Sequence, residues 1–132
     1  MSLFAGTTTD QFDAVIFEEM TEIARKALQG KDGNQTQAIV LYTDRGVDYC
    51  SVIKDVLSTE RTDETALLNQ LTANDDTLVK NILCMWQNGT VDLPSYAFRK
   101  RLLETNAENS DAGIFVRTEN GYAAVELKCT MK

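Results

Sequence analysis

The sequence predicts an α/β fold, a mixed five-stranded sheet flanked by helices in the order α-β-β-α-β-α-β-β. Three observations carry this. Apolar residues recur at helical spacing near the N-terminus. A continuous run, Ala38-Ile39-Val40-Leu41, and an almost wholly apolar Ile82–Trp86 read as strands buried on both faces. Two turn signals, Asp44-Arg45-Gly46 and Asn120-Gly121, join strand pairs into hairpins.

Each element follows from its own pattern. Phe12, Ile16, Met20, Ile23 and Ala27 form one stripe of a first helix, with Thr9 or Asp10 as its cap and Gly30 at its C-terminal end. Strands follow at Gln37–Tyr42 and Val47–Ile53. A second helix starts within Ser58–Thr62, carries Ala66, Leu67, Leu68 and Leu71, and closes at Asn74 and the two aspartates after it. The third strand, Ile82–Trp86, is expected at the centre of the sheet. Asp92 is expected to cap a third helix with Pro94 near its first position, Phe98 and Leu102 facing inward. Strands at Gly113–Thr118 and Tyr122–Leu127 complete the order. The 132 residues contain no repeat or linker, so residues 1–132 are expected to form one domain, with 1–8 flexible.

Composition excludes several function classes. Thirteen basic against twenty acidic residues leave a net charge of −7, which opposes nucleic acid and anionic membrane surfaces as partners. Histidine is absent, which removes imidazole bases, Ser-His-Asp triads and imidazole metal sites. Cys50, Cys84 and Cys129 are odd in number and widely spaced, which suits a reducing compartment better than a disulfide framework. No signal peptide pattern and no apolar run of spanning length occur, so a cytoplasmic location is expected.

The order and length resemble a small cytidine deaminase. Thr65-Ala66-Leu67-Leu68 resembles the segment after that family's Cys-Ala-Glu motif. Leu93 to Leu102 resembles its Pro-Cys-x-x-Cys-Arg-x-x-Leu, with Pro94, Arg99 and Leu102 in register. Gly46–Ile53 resembles the strand ending in the Asn-x-Glu nucleoside motif, and the hairpin ending at Leu127 also fits. The resemblance spans about residues 10 to 128 and implies a three-layer cytidine-deaminase-like fold and a homo-oligomer, dimer or tetramer.

The resemblance fails where the chemistry resides. A zinc deaminase holds Zn²⁺ with three His or Cys ligands and moves protons with a nearby glutamate. Ser95 and Phe98 replace the two Pro-Cys-x-x-Cys cysteines. Two registers are open at the first motif. Identity at Thr65-Ala66-Leu67 puts Arg61 at the ligand and Asp63 at the acid, the preferred match. Spacing from the nucleoside motif puts Thr62 and Glu64 there, with Ser51 and Ile53 in place of the substrate-binding Asn and Glu. Neither register brings a His or Cys to the site, so no metal and no cofactor are expected.

The candidate catalytic acids are therefore Asp63 and Glu64, and the candidate ligand pocket is Ser51, Thr62, Asp63, Glu64, Ser95, Tyr96 and Arg99. Arg99 is the one member of Arg99-Lys100-Arg101 carried over from the family pattern, a candidate anion holder near a helix N-terminus. Each residue also has a plain structural role open to it: acids at a helix start, a serine cap, a surface arginine. Trp86 is a candidate stacking residue, with a packing role as its alternative. The reading is a degenerate cytidine-deaminase-like protein acting as a ligand-binding or protein-interaction module. An enzyme of altered, metal-independent chemistry is the alternative, and a true zinc deaminase comes last.

Overall fold

The structure, a computed structural model, describes residues 12–31, 33, 35–56 and 62–131. Its elements are α1 (Ala14–Leu28), β1 (Gln37–Thr43), β2 (Asp48–Ile53), α2 (Thr62–Ala73), β3 (Val79–Trp86), β4 (Val91–Asp92), α3 (Tyr96–Thr105), β5 (Gly113–Thr118) and β6 (Gly121–Glu126). Single 3-10 turns lie at Ala107–Asp111 and Leu127–Thr130. The sheet runs β2-β1-β3-β5-β6, with β4 added beside β3. β3 and β5 are parallel and every other pairing is antiparallel. The sixth strand departs from the expected five. Val91–Asp92 is too short to carry an alternation pattern, and its pairing with Cys84 and Met85 is a tertiary event.

Two apolar clusters fill the two faces, which makes three layers. Strand side chains alternate between them. Ile39, Leu41, Ile82, Cys84, Ile114 and Val116 meet Leu67, Leu71, Phe98 and Leu102 of α2 and α3. Ala38, Val40, Leu83, Met85 and Phe115 meet Met20, Ala24 and Leu28 of α1. β3 lies between β1 and β5 and is buried along most of its length, as its apolar run requires.

Four helix and turn details correct the expectations. Asp13 caps α1, its Oδ1 accepting from the amides of Val15 (3.0 Å) and Ile16 (3.2 Å). Thr9 and Asp10 lie outside the described residues. Phe12 precedes the cap instead of joining the helical stripe. It packs on Phe17 at 5.5 Å between ring centroids and on Phe115 at 5.6 Å, a staple across the first turn. Ser95, not Asp92, caps α3. In the last hairpin Thr118 pairs with Gly121, so Glu119 and Asn120 form the turn and Gly121 opens the strand at φ 137°. Among the described residues no helix is long and apolar enough to cross a membrane. Residues 1–8 and Arg61 also lie outside the described residues.

Candidate functional site

The N-termini of α2 and α3 meet beside the C-terminal part of β3. Glu64, in the first turn of α2, is 2% exposed. Its Oε2 accepts a hydrogen bond from Ser95 Oγ at 3.1 Å. Ser95 Oγ in turn accepts from the Phe98 amide at 3.1 Å, so one hydroxyl both caps α3 and holds the buried acid. Of the two candidate acids it is Glu64, not the preferred Asp63, that reaches Ser95. Phe98 faces the core at 0% exposure in the cluster that holds Leu67, Leu71 and Leu102.

Cys84 lies in the same cluster on β3. Burial, followed by the carboxylates of Asp92 and Glu64, drives its thiol far above the ordinary cysteine range. A thiol held protonated is a weak nucleophile.

Asp63 turns the other way. Its Oδ2 accepts from the Lys54 amide and its carbonyl from Ser51 Oγ, both at 3.2 Å. Ser51 and Asp63 thus tie the end of β2 to the start of α2. Thr62 is exposed at the head of the helix. Tyr96 is 56% exposed, with the Arg99 guanidinium 5.7 Å from its ring centre.

Arg99 is engaged with backbone. Nε donates to Pro94 O at 3.0 Å and Nη1 to Thr130 O at 2.7 Å, so the side chain clasps the Leu127–Thr130 turn against α3. Burial lowers its pKa below the usual arginine value, partly offset by Tyr96 and Asp92, and it stays cationic. Trp86 Nε1 donates to Asp92 Oδ2 at 3.2 Å, which anchors the β3–β4 connection.

The candidate residues therefore fall into three groups: Glu64 with Ser95, Asp63 with Ser51, and Arg99 with Tyr96. The donor set does not fit a zinc ion. Phe98 has no lone pair, and the neutral Ser95 hydroxyl is committed to Glu64 and a helix cap, whereas zinc takes thiolate, imidazole or carboxylate. Among the described residues no group of three or more His, Cys, Asp or Glu is placed to hold a metal. Cys50, Cys84 and Cys129 are free, and burial followed by Asp48 pushes the Cys50 thiol up to about 11.

Two clefts, of about 330 and 240 Å³, are lined by none of the candidate residues. The larger lies where β1 ends and β3 begins, and includes Asn81 and Asp44. Sequence reasoning missed it. Asn81, next to the apolar run Ile82–Trp86, was the available signal.

Solved structures match this architecture. The cytidine deaminase from Bacillus anthracis aligns over 87% of this chain and 86% of its own, at TM-score 0.66 and 14% identity. That from Burkholderia pseudomallei covers 85% and 93% at TM-score 0.62 and 12% identity. That from Mycobacterium leprae covers 82% and 92% at TM-score 0.61 and 14% identity. No family model and no curated protein matches the sequence. At these identities the likeness is one of fold, and the chain has a cytidine-deaminase-like fold.

Proposed function

We infer that this protein is a catalytically degenerate relative of the cytidine deaminases that works without zinc, as a ligand-binding or protein-interaction module. The observation that carries the reading is the pair at the head of α3. Phe98 is built into the core and Ser95 is engaged with Glu64 and the helix cap. In the motif that this segment resembles, those two positions hold the zinc thiolates. Glu64 remains as a carboxylate with no metal-bound water to deprotonate. The candidate ligand surface is Ser51, Thr62, Asp63, Glu64, Ser95, Tyr96 and Arg99, with the hydroxyls of Ser51 and Ser95 and the Nε and Nη1 of Arg99 engaged in internal hydrogen bonds. That commitment favours interaction over turnover. A homo-oligomer, which follows from the resemblance, and a cytoplasmic location, expected from the sequence pattern, are part of the same reading.

The test is metal analysis of the purified protein together with a cytidine deamination assay and sedimentation. Zinc far below one equivalent, no ammonia release and a dimer or tetramer are expected. Stoichiometric zinc with turnover overturns the reading, and a dilute monomer removes the assembly from it.

A further inference from the structure

The cleft of about 330 Å³ lies at the end of the sheet remote from Glu64 and Ser95. It opens where β1 gives way to the hairpin turn, β3 begins, and the Ala107–Asp111 turn leads into β5. This volume is within the range of small-ligand sites. Its floor is apolar, from Leu78, Val79 and Ala112. Its walls are polar in an uneven way. Asp111 is partnered by Lys128 at 3.0 Å. Asp44 and Glu108 make no ion pair among the described residues, although Lys80 lines the same cleft.

Asn81 is the second, independent observation. It is 2% exposed and lines the cleft. Its Nδ2 donates to Gly113 O at 3.3 Å, which fixes the amide orientation. Its Oδ1 accepts no hydrogen bond among the described residues. The oxygen is not among the buried atoms left without a partner, so it keeps a little exposure of its own, and the cleft that Asn81 lines is where a donor can reach it.

We propose that this cleft binds a small organic monocation with N–H donors, an ammonium or guanidinium on a short apolar body. The N–H groups satisfy Asn81 Oδ1, the positive charge is held by Asp44 and Glu108, and the apolar body covers Leu78, Val79 and Ala112. The two carboxylates disfavour an anion. Lys80 on the same wall penalises a multivalent cation. The site shares no residue with the Glu64–Ser95 pair and stands whether or not the reading given for that pair holds.

The test is a titration of ¹⁵N-labelled protein with n-butylammonium and n-butylguanidinium, with tetramethylammonium as the probe that has charge but no N–H. Saturable shifts at Lys80, Asn81 and Gly113, with a dissociation constant on the order of millimolar for one of the first two probes, are expected. Tetramethylammonium should bind at least tenfold more weakly. The rim double variant D44N/E108Q, which leaves the core untouched, should weaken binding about tenfold, and Lys80→Gln should tighten it severalfold. Asn81→Leu should abolish binding, but it also removes the bond to Gly113, so the rim variants carry the test if it does not fold. No saturable shift, equal response to tetramethylammonium, or unchanged affinity in D44N/E108Q overturns the proposal.

Discussion

Replacing Ser95 separates two roles that one oxygen performs. Ser95→Ala removes the cap of α3, about 1 kcal/mol. It also removes a donor from the carboxylate of Glu64, 2% exposed, which costs about 1–3 kcal/mol. The sum is about 2–4 kcal/mol. For a chain of 132 residues, about 1 kcal/mol corresponds to roughly 4 °C, so Tm should fall by roughly 8–16 °C. Ser95→Gly divides the sum, because glycine caps nearly as well as serine while still deleting the hydroxyl. It should cost about 1–3 kcal/mol, all from the Glu64 contact. Ser95→Thr keeps both bonds and should stay within about 0.5 kcal/mol of the parent. The assay is urea unfolding followed by circular dichroism, with the m-values compared to verify that only stability has changed. If Ser95→Gly unfolds with the parent, the bond to Glu64 contributes nothing. If Ser95→Ala does as well, the reasoning about this site is wrong.

Three further outcomes are expected. Phe98→Ala empties a fully buried site and should cost about 3–5 kcal/mol in the same unfolding assay; a cost under about 1 kcal/mol would mean that Phe98 is not part of the core. Asp48 is raised from 3.8 to about 6 by burial and by Glu19, which shares a hydrogen bond with it, so the folded state holds its proton more tightly and stability falls as pH rises from about 4 to about 6. Asp48→Asn should then stabilise by about 1 kcal/mol at pH 7.5 after screening of this part-exposed group, and by nothing near pH 4, whereas a gain that ignores pH in thermal melts contradicts the assignment. Asp76→Ala breaks the bonds from Thr43 Oγ1 (2.8 Å) and Tyr49 OH (3.1 Å) to a buried acid, so stability should drop by about 2–3 kcal/mol and the Tyr49 phenol should titrate lower, seen by alkaline absorbance, and an unmoved phenol would show that the bond is not made in solution.

Much of the fold was legible because its elements carry strong periodicity. The α1 stripe and the two-sided burial of β1 and β3 follow from the residues alone. What escaped depends on contacts distant in sequence or on choices between near-equal neighbours. Asp92 and Ser95 are both good caps, and the choice fell to Ser95 because Asp92 accepts from Trp86 and from its own neighbour's amide. Asp63 and Glu64 are adjacent acids at one helix start, and only the rotation of α2 decides which is buried against Ser95. Arg99 read equally well as an anion holder, because nothing local shows that the chain returns 31 residues later to offer Thr130 O.

The parallel contact between β3 and β5 pairs only Asn81 with Gly113 and Ile82 with Ile114, while β1–β3 and β5–β6 are paired along their length. The sheet is therefore two antiparallel ribbons joined by a short seam, with Asn81 Nδ2 adding a side-chain bond across it. A seam held by so few backbone bonds depends on the helices packed over it. Sub-global opening that lifts the β5–β6 ribbon as a unit breaks few backbone bonds at this seam, and its cost lies mainly in the apolar packing of Ile114, Phe115 and Val116. Whatever engages Asn81 acts on the hinge between the two ribbons, so occupancy at one end of β3 would be felt as rigidity across the whole sheet.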